Sequence, residues 1–287
     1  RESMLLVNNI FLLVAMAAVL LGTIYPLVLD ALGLGKISVG APYFDAVFGP
    51  IMMPVVFLMA IGPMTRWKEA DPVAICRELW LVLLLSVAAA VAVPLAMGSL
   101  KLWPAVGAFL AFWVLFSIIH EARAGSRNAS SFLAGLRRQS ASWWGMQLAH
   151  LGIGVTVFGI AMVMGYQAER DVRMHPGDVV TVRSTTFRFD GVTEQRGPNY
   201  LSRRADITLI EGGRETGRLH PEKRDYFSSR GMPMTEASIR HRLTGDVYAA
   251  LGNPTSDGGW IVRVYAKPFV LFIWIGTLLM ALMPEPE

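Results

Sequence analysis

Residues 143–166 read WWGMQLAHLGIGVTVFGIAMVMGY, and residues 167–174 read QAERDVRM. The first stretch is long enough to cross about 30 Å of hydrocarbon, which takes roughly 20 apolar residues. The second turns polar and charged within a few positions, as a chain does on leaving a bilayer. This boundary decides the fold: a membrane span that delivers the chain into a water-exposed segment.

Five more apolar segments surround this one: Leu5–Leu29, Val47–Met64, Leu79–Met97, Leu102–Ile119 and Pro268–Met283. Pro50, Pro54 and Gly62-Pro63 make the second a candidate for a kinked or irregular helix. The chain of 287 residues is 53% hydrophobic and only 17% charged, against roughly a quarter charged in soluble domains. Its charges crowd into residues 167–264. The expected fold class is an α-helical integral membrane protein with an inserted small antiparallel β-rich extracytoplasmic domain. Residues 1–166 would form the first transmembrane region, 167–264 the inserted domain, and 265–287 a final span with a cytoplasmic tail.

The net charge of +4 and isoelectric point near 9.4 do not argue for nucleic acid. Much of the excess lies in short basic loops, which orient spans. Arg1, Arg66, Lys68, Arg77, Arg123, Arg127, Arg137 and Arg138 fall on one side, and Lys36 and Lys101 on the other. That imbalance predicts both ends of the chain in the cytoplasm and residues 167–264 on the outer face. Tyr25, Trp103 and Trp143-Trp144 sit at span ends, where aromatic belts form. Cys76, the one cysteine, falls in a predicted loop and makes no internal disulfide. The opening Arg1-Glu2-Ser3, without an initiator Met, reads as a start within a longer protein.

Residues 167–264 alternate as half-buried strands do at Thr181-Val182-Arg183, Phe187-Arg188-Phe189, Ile207-Thr208-Leu209-Ile210 and Trp260–Tyr265. Gly177-Asp178, Asp190-Gly191, Gly197-Pro198-Asn199, Gly212-Gly213 and Asp257-Gly258-Gly259 supply candidate turns. A small barrel or sandwich follows.

His150 is the only histidine, acid or base within the six expected spans. It lies roughly 10 Å along the fifth span from Trp143. An ionisable group at that depth is costly, which makes it a functional candidate. A neutral imidazole can ligate a metal or haem iron through one ring nitrogen while the other is oriented by a hydrogen bond. Gly145, Gly152 and Gly154 flank it, so something flat, or another helix, can come close. The alternatives are a proton relay and a neutral histidine bonded to a neighbouring helix. His120, beside Glu121, reads as snorkelling at a span end. His175, His220 and His241 are far apart and lack ligand spacing. The outer arginines, among them Arg170, Arg173, Arg203, Arg204, Arg224, Arg230, Arg240 and Arg242, fit solvated strand faces, or bidentate contacts to haem propionates or an acidic partner. No catalytic triad, phosphate loop or pair of intramembrane carboxylates is present, so no catalytic residue is assigned.

In order along the chain, several stretches carry a resemblance. They include Gly22-Thr23-Ile24-Tyr25-Pro26-Leu27, Ile61-Gly62-Pro63, Leu148-Ala149-His150-Leu151-Gly152 and Glu169-Arg170-Asp171-Val172-Arg173-Met174. They continue through Gly197-Pro198-Asn199-Tyr200, Asp246-Val247-Tyr248-Ala249-Ala250-Leu251-Gly252 and Tyr265-Ala266-Lys267-Pro268. On these residues the chain resembles the carboxy-terminal half of the cytochrome c maturation protein F family, the haem lyase subunit of the bacterial system I pathway.

The resemblance implies a place in the bacterial inner membrane and a part in attaching haem, through thioethers, to apocytochrome c. It implies haem as substrate, and a resident haem b in the membrane with His150 as one axial ligand to its iron. The second ligand, the outer haem-binding histidines and the tryptophan-rich outer motif belong to the amino-terminal half, which becomes an expected partner. The other expected partners are a haem chaperone, apocytochrome c with its thiol-reducing or presenting partner, membrane lipid, and quinol as a candidate electron source. Two readings from other classes remain: a non-catalytic module that docks the apocytochrome-presenting partner, and a proton-coupled transporter.

Overall fold

The structure, a computed structural model, describes residues 2–62, 72–228 and 232–282. Arg1, Pro63, Met64, Arg66, Lys68, Arg230 and Met283, each invoked above, lie outside them. The chain divides into two compact units, residues 1–161 with 274–287, and residues 162–273.

The first unit is helical. Among the described residues five helices are long and apolar enough to cross a membrane: α1 (Glu2–Ala31), α2 (Ala41–Ile61), α3 (Pro72–Ala96), α4 (Leu102–Gly125) and α6 (Ala141–Tyr166). A short α5 (Phe132–Arg137) precedes α6, and α7 (Val270–Ala281) ends the described chain. Large apolar side chains point outward along α1, with Leu6 and Leu13 each 61% exposed and Leu27 68%. Water would penalise such a surface and lipid does not. The chain is a multi-pass membrane protein with a β-rich domain inserted before its last helix.

Hydropathy placed the spans, but polar residues extend several of them. Cys76, expected in a loop, is an exposed residue of α3. Pro72 starts that helix, at a position where its missing N–H costs nothing. His120 and Glu121 do not end a span, because α4 continues to Gly125. α2 begins at Ala41, where Pro42 presets the first turn, and runs without interruption through Pro50 and Pro54. α7 is the shortest apolar helix: its 12 residues reach about 18 Å. Pro268, expected in that span, instead ends the last strand, and Phe269 turns the chain at φ 56°.

α2, α3 and α4 share a core of Val56, Ala60, Leu79, Val82, Leu110, Trp113 and Val114. Phe57 and Trp113 stack at 5.2 Å and 8°, and the indole Nε1 of Trp113 donates to the Phe57 carbonyl at 3.0 Å. Ile153 and Val157 of α6 pack against this core. α7 meets α6 backbone to backbone. A Cβ on Gly152 would stand 2.6 Å from the Gly276 carbonyl oxygen, and one on Gly276 would stand 2.4 Å from the Gly152 oxygen. Only hydrogen fits at either place.

Among its described residues the second unit holds ten strands: β1 (Ala168–Met174), β2 (Val179–Val182), β3 (Thr185–Arg196), β4 (Tyr200–Glu211), β5 (Arg214–Leu219), β6 (Glu222–Tyr226), β7 (Met234–Glu236), β8 (Ser238–Arg240), β9 (Gly245–Pro254) and β10 (Trp260–Pro268). One sheet has the order β1-β10-β9-β8. The other runs β2-β3-β4-β6-β7, with β5 also paired to β4. All pairings are antiparallel. Alternate residues of both sheets, including Phe187, Phe189, Ile207, Leu209, Val247, Leu251, Val262 and Val264, fill one core.

Two local expectations change. Asp190-Gly191 does not turn the chain. It makes a bulge within β3, where the register shifts between Phe189 and Gly191 and Gly191 takes φ 139°. Arg183 is not a strand residue. β2 stops at Val182, and Arg183 stands in the following turn at φ 56°. From there its guanidinium donates to the carbonyl of Tyr166, the last residue of α6, as cations do at helix C-termini.

Replacing Phe189, fully buried, with Ala should destabilise the β-domain by about 3–5 kcal/mol, read as a lower urea midpoint for protection of residues 167–264 against protease. Gly276→Val should force α7 off α6 and lower the detergent-solubilised protein's melting temperature, whereas Gly258→Val, in a surface turn, should leave helix packing intact. The carboxylate of Asp171 receives two hydrogen bonds from Arg263, at 2.5 and 2.6 Å. This bonding, above all, holds its pKa below the usual value. A depressed folded pKa stabilises above the unfolded value and is lost as pH falls through the folded one. Asp171→Asn should therefore flatten the domain's stability against pH below about 4, in unfolding measured from pH 2 to 7.

Candidate functional site

α6 starts where Ser140 caps it: the Ser140 Oγ accepts from the Trp143 backbone N–H at 3.2 Å. The helix then presents Trp143, Gln147, Gly154, Phe158 and Ala161 to α4, and three sets of contacts fix the antiparallel register. At one end, the Glu121 carboxylate accepts from the Trp143 indole N–H at 3.2 Å and from the Gln147 amide at 2.7 Å. In the middle, a Cβ on Gly154 would lie 3.4 Å from the Ala111 carbonyl oxygen and from Val114. At the far end, Gly107 lies so close to Ala161 that a Cβ there would be 2.2 Å from the Ala161 Cβ.

His150 lies one turn beyond Gln147, at the flank of this stripe, and is partly buried. The register between Glu121 and Val114 brings Ser117 of α4 level with it. Ser117 and Gln147 are both short of hydrogen bonds. Gln147 and Ser117 are each 3% exposed, yet the Gln147 Oε1 and the Ser117 Oγ have no partner among the described residues. A buried oxygen without a donor costs on the order of 1–3 kcal/mol. Both lie within about one helical turn of His150 along the axis, and the Thr156 Oγ1, further along α6, is likewise buried without a partner among the described residues. The orphaned oxygens fit a site at which the imidazole is held in a set orientation toward a ligand.

Of the two expected uses of the glycines beside His150, the structure shows the approach of other helices. Gly152 receives α7 and Gly154 receives α4, so neither leaves a face open to a flat ligand. Glu121 and Gln147 were missed in the sequence. A buried amide three residues before an intramembrane histidine was the available signal.

The histidines of the β-domain each meet a carboxylate. His220 Nδ1 lies 2.6 Å from Asp206 and His241 Nδ1 2.9 Å from Asp246. His175 sits between Asp178 and Asp257. These are contacts within the β-domain, and no group of acids, histidines or cysteines among the described residues could hold a metal ion. Many arginines are likewise engaged: Arg173 with Asp257, Arg203 with Asp225, Arg204 with Asp206, Arg224 with Glu222, and Arg242 with Glu211. The Arg242 guanidinium and the Thr185 hydroxyl both bond Glu211. The Thr185 bond does most to hold that carboxyl below its ordinary pKa. Such internal pairing leaves these arginines less disposed to grip an outside anion.

The chain is similar to known proteins along its length. Residues 165–268 match the family described as the CcmF C-terminal beta-sandwich. The cytochrome c-type biogenesis protein CcmF of Pseudomonas aeruginosa is 45% identical over 98% of this chain and 43% of its own length. Its namesake from Escherichia coli is 40% identical over 98% of this chain and 42% of its own length. The solved structure of a cytochrome c haem lyase CcmF superposes with a TM-score of 0.76 at 24% identity, over 98% of this chain and 44% of that one. The chain thus spans less than half the length of the relatives it matches. It resembles the carboxy-terminal half of CcmF throughout, and its residues 165–268 belong to the CcmF C-terminal β-sandwich family.

Proposed function

We propose that this chain is the carboxy-terminal part of a cytochrome c haem lyase and that His150 is an axial ligand to a haem b within the membrane. The observation that carries the ligand assignment is the setting of His150. Its imidazole stands in an apolar helix, one turn from the buried Gln147 oxygen and level with the Ser117 oxygen, both without donors among the described residues. The relatives' names, which speak of cytochrome c biogenesis and haem lyase, support the wider reading.

In this reading His150 binds iron through one ring nitrogen in its neutral form. Haem b, when bound, supplies a one-electron relay by which the haem to be attached is kept ferrous. α7 packs on α6 at Gly152 and α4 at Gly154, within about a turn of this position. The second axial ligand comes from the amino-terminal counterpart, and quinol is the proposed electron source. The β-domain lies on the periplasmic face of the inner membrane, where haem, its chaperone and the apocytochrome meet. The thiolate nucleophiles of thioether formation belong to the apocytochrome.

The chain should be purified with its amino-terminal counterpart and its visible spectrum recorded before and after dithionite. A reducible b-type spectrum is expected, and His150→Ala should abolish it. An unchanged spectrum in that variant would overturn the ligand assignment. His241→Ala, in the β-domain, should leave the spectrum intact.

A further inference from the structure

The bond between Glu121 and Gln147 does more than join α4 to α6. A side-chain amide has two ends, a donating NH2 and an accepting oxygen. The Glu121 carboxylate can only accept, and it takes the Gln147 Nε2 at 2.7 Å. This fixes which way round the amide sits and turns its Oε1 away from Glu121. That oxygen is buried, on a residue 3% exposed, and has no donor among the described residues. His150 lies three residues further along the same helix, on the neighbouring position of one face. Side chains of an α-helix lean toward its N-terminus, so the imidazole of His150 leans toward the turn that carries Gln147.

We propose that Gln147 is the positioning residue for His150: its Oε1 accepts the N–H of the ring nitrogen that does not bind iron, and Glu121 holds the amide in the orientation that makes this possible. This rests on the ligand assignment made above. Metal-bound histidines almost always donate their second N–H to such an acceptor, which fixes the tautomer and raises the basicity of the ligating nitrogen. Two events would follow from one bond. The ring would be held at a set rotation about the iron–nitrogen axis, and the ferric state would be favoured over the ferrous one. The orphan oxygen of Gln147 would also gain the donor that it lacks.

The test is a redox titration of the b-type haem in the chain purified with its amino-terminal counterpart. Gln147→Leu removes the acceptor and should move the midpoint potential upward while the b-type spectrum persists. Gln147→Glu keeps an oxygen at the position and should leave the midpoint at or below the parent value. Glu121→Gln, which allows the Gln147 amide to turn over, should give an upward shift smaller than that of Gln147→Leu. A structural role alone would not separate the Leu and Glu variants. The proposal is overturned if Gln147→Leu leaves the midpoint unchanged, or if Leu and Glu raise it alike. In either case loss of the spectrum in His150→Ala would leave the ligand assignment standing, whereas its retention would remove both.

Discussion

The contact between α4 and α6 organises the helical unit around His150. At one end it is polar, with a carboxylate holding an indole and an amide. At the other it is steric, with Gly107 admitting Ala161. A polar clasp inside apolar surroundings has few alternative partners, so it sets one register, and the glycine contact is compatible with no neighbouring one. The apolar contacts between them add area but little direction. Slippage by a turn would leave Glu121 without its donors and press Ala161 onto a larger side chain. The position of His150 relative to Ser117 depends on this clasp.

The β-domain solves a different problem. Its ten strands carry many charges, and its stability comes from a single apolar core that both sheets fill. The charges stand on the outer faces, where neighbouring strands set them in opposition: Asp171 faces Arg263 across β1 and β10. The density of arginines therefore describes a self-neutralised surface more than a reservoir of free cations. The three histidines of the domain join the same pattern, each beside an aspartate.

Hydropathy made the helical spans legible, because a bilayer tolerates only long apolar helices or closed barrels. Period-two alternation likewise exposed Phe187, Phe189, Ile207 and Leu209 as core residues. What hydropathy could not report is where a helix ends once it leaves the apolar zone. His120, Glu121 and Cys76 are polar or small, yet backbone hydrogen bonding carries α4 and α3 through them. Glycine was ambiguous for a related reason. Asp190-Gly191 suits a turn or a bulge, and the pairing partner of β3 decides between them. At the site, the histidine was visible because its cost in an apolar segment is large. Gln147 was not, because an uncharged amide perturbs hydropathy little and its importance arises from a residue on another helix.

The close approach of Gly152 and Gly276 has a topological meaning. It fastens the helix that precedes the β-domain to the helix that follows it. Within the domain, the first and last strands are themselves neighbours, with Ala168 opposite Ala266. The domain's two ends are thus brought together twice, once by helix packing and once by strand pairing. The chain from α6 to α7 is a helical hairpin whose loop has grown into a folded body. The loop-closure entropy of so long an insertion rises only with the logarithm of its length, and both closures join the same two ends. Evolution can therefore lengthen, shorten or reshape the strands between them without unfastening the hairpin that frames His150.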